Sequence, residues 1–159
     1  MATSVVDVSK YILHRKGEMT TMKLQKLVYY SYSWHLVWTG TQLFPEKFQA
    51  WKNGPVCYPL FDLHRRKFKL SESELQPGDI SRLSDEEISS IEIVLDSYGK
   101  LSSGQLSDLT HSEDPWREAR FSISGIEIEN SDISDQAIFD FYSKMPDEGL
   151  PISELAWPK

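Results

Sequence analysis

Cysteine is nearly absent: Cys57 is the one thiol in 159 residues. No intrachain disulfide is possible, and the chain suits a reducing compartment. Long apolar runs are missing too. Nothing approaches the roughly 18 consecutive apolar residues of a membrane-spanning helix. The opening MATSVVDVSKYILHRKG lacks the basic-then-apolar order of a secretion signal. These absences lead to the expectation of a cytoplasmic protein with no membrane partner. Positive charge is in deficit: 17 Lys and Arg against 24 Asp and Glu leave a net −7. That argues against nucleic acid as a partner, whose binders usually carry a basic footprint. Neither GxGxxG nor a Walker-type GxxxxGK loop occurs, so nucleotide binding has no support. The histidines are His14, His35, His64 and His111; no two of them stand at helical spacing from each other, and His111 and Asp114 are three apart. A structural metal needs three or four such groups, so neither metal nor cofactor is expected.

Aromatic residues are present in number: five Trp, seven Tyr and seven Phe. Many concentrate in TTMKLQKLVYYSYSWHLVWTG, residues 20–40. Leu24, Leu27, Val28, Ser31, Trp34, His35 and Trp38 recur at spacings of three and four, the period of one helical face. Tyr29, Tyr30, Tyr32, Leu36 and Val37 fall on the other faces. A helix apolar nearly all round is surrounded rather than laid on a surface. Thr20 is placed to cap its start, Met19 and Leu24 to staple it, and Gly40 to end it left-handed.

Around this helix the sequence predicts a mainly α-helical compact domain over residues 1–145, with about six helices, and a tail over 146–159. Ser4 and Gly17 bracket a first helix. Residues 42–56 read as a short antiparallel β-ribbon, turned at Asn53-Gly54-Pro55, where Pro55 is expected to break the ladder. Ile126–Ile128 alternates and is expected to join that ribbon. A third helix starts near Pro59 and carries Leu60, Leu63 and Phe68. Its basic end, His64 to Lys69, suits the negative pole of the helix dipole, with a partner-facing patch as the other reading. Residues 71–83 read as loop. Ser84 with Glu87, and Ser102 with Gln105, are capping boxes that open two further helices. Asp114 then caps one with Pro115 at its first position, and Ser134 caps the last. The tail carries Leu150, Ile152, Leu155 and Trp157 between prolines, and either lies back on the domain or grips a partner.

Catalysis has one candidate constellation. Ser107, Asp108, His111 and Asp114 lie close in sequence, as a nucleophile, base and orienting acid would have to lie in space. No GxSxG elbow accompanies them, and proximity along a chain is not triad geometry. His111 reads first as a residue that locks the turn before Trp116, and a small hydrolase using His111 and Asp114 is the remaining alternative. His35 reads first as a satisfied core histidine, with a buried pH-sensitive group as the alternative.

Three separated stretches, KLQKLVYYSYSWHL, AWKNGPV and LTHSEDPWREAR, in this order, resemble the Panacea domain of the SocA-like antitoxin family, which includes phage-associated GepA-like members. The matching positions are Lys23, Leu24, Lys26, Leu27, Tyr29, Tyr30, Trp34 and His35, then Ala50, Trp51, Gly54, Pro55 and Val56, then Leu109, Thr110, His111, Pro115, Trp116 and Arg120. The resemblance implies a binding protein rather than an enzyme, an antitoxin that neutralises a protein toxin by direct contact. It also implies, as an alternative, an adaptor that delivers a toxin to an ATP-dependent protease. On the residues themselves, an acidic chain suits a basic toxin surface, with salt-sensitive association. Leu27, Tyr30 and Trp34 are expected in the core. Trp38, Trp51, Tyr58 and Trp157 are the candidate exposed anchors, because Trp and Tyr are enriched at binding hot spots.

Overall fold

The computed structural model describes residues 2–121 and 125–145. In chain order its elements are α1 (Val5–Lys16), β1 (Met19–Thr20), α2 (Thr21–Thr39), β2 (Phe48–Trp51), β3 (Gly54–Cys57), α3 (Tyr58–His64) and β4 (Lys69–Leu70). They continue with α4 (Asp85–Tyr98), α5 (Ser103–His111), α6 (Asp114–Arg120), β5 (Ser131–Ile133) and α7 (Asp135–Tyr142). Among the described residues the chain is mainly helical, with a small amount of antiparallel sheet.

Helix α2 is the axis. Every residue from Leu24 to Leu36 is buried, which is more than three turns and therefore all faces of the helix. Helices α1, α4, α5 and α7 and strand β3 pack around it. Its ends follow the sequence signals: Thr20 Oγ1 accepts from Lys23 N at 3.2 Å, and Gly40, at φ 75°, donates its N–H to Leu36 O. The interior hydroxyls are satisfied within the helix, Ser31 donating to Leu27 O and Ser33 to Tyr29 O. Trp34 is fully buried and donates from Nε1 to Tyr98 Oη, whose ring stacks on Tyr30 at 4.2 Å. Reciprocal capping boxes open α1 at Ser4 and Asp7, α4 at Ser84 and Glu87, and α5 at Ser102 and Gln105. Ser134 caps α7.

Tertiary context revises several local expectations. The ribbon exists, but its third strand is β5, giving the order β3-β2-β5, all antiparallel. Ile133 supplies the reason: it is buried opposite Phe48, whereas Ile126 and Ile128 are exposed. Near Ile126–Ile128 only an isolated bridge, Phe121 to Glu127, forms. Pro55 stands within β3, opposite Ala50. β3 is an edge strand, where a missing N–H is tolerated. Helix α3 ends at His64, one turn earlier than its pattern suggests, and Arg66 takes φ 71°. Only His64 of the basic run therefore meets the helix dipole, and Phe68 is 74% exposed. Beyond it, β4 pairs with β1, a two-residue ribbon too short to register in sequence. Residues 71–83 contain two single 3₁₀ turns, Glu72–Glu74 and Ile80–Arg82. The tail over 146–159, with Trp157, lies outside the described residues.

Candidate functional site

The three stretches singled out in sequence converge on one place, the β2–β3 hairpin. Side chains from α5 and α6 grip its backbone from outside. Ser107 Oγ donates to Asn53 O at 2.7 Å, Trp116 Nε1 to Trp51 O at 2.8 Å, and Arg120 Nη1 to Ala50 O at 2.9 Å. The Trp116 ring stacks on His111, with centroids 4.1 Å apart. His111 thus locks the segment before Trp116 by stacking.

From beneath, α2 presents Lys26 to the hairpin. Gly54, at φ 118°, comes so close that a Cβ there would lie 2.6 Å from Lys26 Cε and 2.8 Å from Thr110 Oγ1. Only glycine combines that backbone with that contact. Gly54→Ala is expected to cost about 1–3 kcal/mol in urea unfolding. An unchanged midpoint would show that Lys26 and Thr110 move aside freely.

Lys26 is wholly buried, and its Nζ makes no hydrogen bond within the described structure. Burial lowers its pKa to about 7, so much of it is a neutral amine at physiological pH. His111 Nε2 is likewise buried without a hydrogen bond. Burial holds His111 below the usual histidine range, opposed by its hydrogen bond to the Lys52 backbone. The junction therefore holds two basic nitrogens with little means of staying charged.

Sequence reasoning missed a second buried group, Glu113. Asp114 is the first residue of α6, and the N-cap position belongs to Glu113, whose carboxylate does not cap. It turns into the core instead, where Oε1 accepts the Tyr30 and Tyr142 hydroxyls, each at 2.7 Å. Burial raises its pKa to about 7, with the two hydroxyl bonds opposing. In sequence an acid flanked by Ser112 and Asp114 looks like a solvated turn residue, so no signal separated it from its neighbours. Gln25 was missed as well. Its amide brackets Cys57, Nε2 donating to the carbonyl and Oε1 accepting the N–H, while Nε2 also meets His64 Nε2 at 3.0 Å.

The remaining expected positions divide by burial. Trp34 and His35 are closed off, which removes both from any interface; His35 Nδ1 meets Ser90 Oγ at 2.8 Å, as a satisfied core histidine does. Tyr30 is core, Lys23 half-buried, and Pro115 buried with Trp116. Of the anchors, Tyr58 is 43% exposed and Trp51 half-buried, and both rings gather around Phe61. Trp38 is half-buried against Trp34, about 24 Å along α2 from the end that faces Trp51. Of the hydrolase constellation, Ser107 bonds the hairpin and His111 stacks on Trp116. The Ser107 hydroxyl is given to the Asn53 carbonyl, and no hydrogen bond joins His111 to Ser107, Asp108 or Asp114 among the described residues. Cys57 is buried, which pushes its thiol up to about 12 and leaves it protonated. Among the described residues no helix is long and apolar enough to cross a membrane, and no group of three or more His, Cys, Asp or Glu side chains is arranged for a metal.

Comparison with curated proteins and with solved structures finds no match. A family model does match: antitoxin SocA-like, Panacea domain, over residues 24–117, more than half of the chain. The matched span takes in Lys26 on α2, Gly54 and Pro55 in the hairpin, and His111, Pro115 and Trp116 beside it. It runs from the first turn of α2 into α6, and the chain belongs to the SocA-like antitoxin family defined by the Panacea domain.

Proposed function

We propose that this chain is an antitoxin that neutralises a toxic protein by direct, stoichiometric binding in the cytoplasm of a bacterium, encoded by the host or by a phage. Family membership over residues 24–117 is the observation that carries the reading. The architecture is compatible with it. Three capping boxes, a fully wrapped central helix and a hairpin held by three side-chain donors make a rigid scaffold of the kind that binds without reorganising. The Ser107 hydroxyl is given to the hairpin backbone, and the Cys57 thiol is buried and protonated.

The test is co-expression with the product of the adjacent reading frame. Growth should be restored, and the two proteins should co-purify in equal amounts. If no neighbouring gene product is toxic or none is relieved by this chain, the reading fails. Rescue that persists in a host lacking the ATP-dependent protease identifies occlusion. Rescue that disappears there, with the toxin's half-life lengthening, identifies a proteolysis adaptor.

A further inference from the structure

A recess of about 120 Å³ opens between the first turns of α2, the β2–β3 hairpin and α3. Met22, Trp51, Val56 and Phe61 form its apolar walls, with Arg66 and Lys67 at its mouth. Its polar lining is already satisfied, since Gln25 and His64 bond each other and Gln25 also holds Cys57. The interior therefore asks for an apolar group. Its size suits a single side chain, because a cavity of roughly 150 Å³ holds one benzene ring.

The rim sets the charge of the occupant. The protein is acidic overall at −7, yet Arg66 and Lys67 line this recess, and Arg65 and Lys69 adjoin them in sequence. Arg65 is tied to Asp62 and lies over the Tyr58 and Phe61 rings, 5.8 and 5.0 Å from their centroids. Lys67 is paired with Glu74. Arg66 is exposed and makes no ion pair among the described residues. It does so from a left-handed backbone, φ 71°, which costs a non-glycine residue of order 1 kcal/mol and tends to persist at functional positions. The neighbouring strand edge is closed to β-augmentation: Pro55 has no N–H to offer, and both backbone groups of Cys57 are taken by Gln25. Recognition at this face must therefore run through side chains.

We propose that this recess is the partner-docking site, and that it takes one leucine or phenylalanine side chain from a protein segment whose flanking residues are acidic. The local sign is the reverse of the net charge, so the segment that docks differs from the basic surface that −7 alone would select. The proposal rests on the reading of the chain as a protein-binding antitoxin and gives that reading an address.

The test uses the whole ¹⁵N-labelled chain and two blocked pentapeptides, Glu-Glu-Leu-Glu-Glu and Lys-Lys-Leu-Lys-Lys. The readout is the indole N–H resonance of Trp51, which in the free protein donates to Gln49 Oε1 at 2.9 Å. The acidic peptide should shift this resonance with a millimolar dissociation constant, and the basic one should bind roughly tenfold more weakly. Arg66→Glu, a surface change, should erase that preference, and replacing the peptide's leucine by glycine should abolish the shift. A Trp51 signal unmoved by both peptides overturns the proposal. Equal binding of the two removes the charge argument and overturns it as well. A shift that follows protein concentration, or that a DNA oligonucleotide produces better, assigns the recess to a second copy or to nucleic acid instead. Failure of the peptides with growth rescue intact would move the docking site elsewhere and leave the antitoxin reading standing. Peptide binding without rescue would do the opposite.

Discussion

Lys26→Met should make the protein more stable, and the gain should depend on pH. The amine is wholly buried without a hydrogen bond, and its pKa falls from 10.5 to about 7. Below about pH 7 both folded and unfolded chains carry the proton, and the folded state bears the full cost of burying it. Between about pH 7 and 10.5 the folded chain binds fewer protons than the unfolded one, so stability rises with pH. The shift corresponds to a cost of about 5 kcal/mol at the low-pH end, an upper figure for a site that can relax. Methionine has nearly the same length and no charge, and it keeps the contact beneath Gly54. Urea unfolding near pH 6 should show the variant more stable by several kcal/mol, and the difference should shrink as pH rises, reaching the packing contribution alone only above about pH 10.5. Equal stabilities near pH 6 would mean that Lys26 reaches solvent or an anion in solution.

Glu113→Gln should also stabilise, in a different window. The carboxyl is raised from 4.5 to about 7 by burial, against the opposing pull of the Tyr30 and Tyr142 hydroxyls. Below about pH 4.5 it is protonated in both states and costs nothing. As pH rises from there through about 7, the unfolded chain ionises first, so stability falls. Above that the penalty is constant, about 3 kcal/mol. Glutamine removes the charge while its amide oxygen still accepts from both tyrosines. The variant should match the parent near pH 4 and exceed it near pH 8. Taken alone, Glu113 lowers stability up to about pH 7 and Lys26 restores it above, so the parent should show a minimum near neutrality. The double variant should lose that minimum. A parent whose stability peaks near pH 7 would contradict both assignments.

Elements whose cause is local were legible in the sequence. Ser84 and Glu87 stand three residues apart and satisfy each other's backbone whatever else the chain does. The same holds for Ser4 and Asp7, for Ser102 and Gln105, and for Gly40, whose left-handed φ ends α2. The all-round apolar pattern of residues 24–36 allowed one reading, a wrapped helix, and burial of every one of those residues agrees. Part of the family signature, Lys26, Gly54, His111, Trp116 and Arg120, meets at the hairpin junction, while Trp34 and His35 belong to the core around α2.

Where two remote segments compete for one position, the pattern was insufficient. Ile126–Ile128 alternates and Ser131–Ile133 holds a single apolar residue, yet the third strand fell to the second because Ile133 buries opposite Phe48. The end of α3 was lost similarly: Leu60, Leu63 and the basic run continue a helical period, but the chain turns at Arg66 to bring Lys69–Leu70 against Met19–Thr20.

Lys26 and Glu113 define the boundary most clearly. Sequence alone established the kind of molecule: a helix-rich domain built around residues 20–40 and related to SocA-like antitoxins. Caps, periods and motifs act over a few residues, and they survive any arrangement of the rest. The ionisation of Lys26 and Glu113, and the recess edged by Arg66, were decided by the tertiary structure alone. A pKa follows from how much water, charge and hydrogen bonding surround a group, and a recess from which side chains meet around it. For Lys26 those neighbours are Gly54 and Thr110, for Glu113 Tyr30 and Tyr142, and for Arg66 the walls formed by Trp51 and Phe61. Most of them stand tens of residues away, and only packing around α2 brings them within reach.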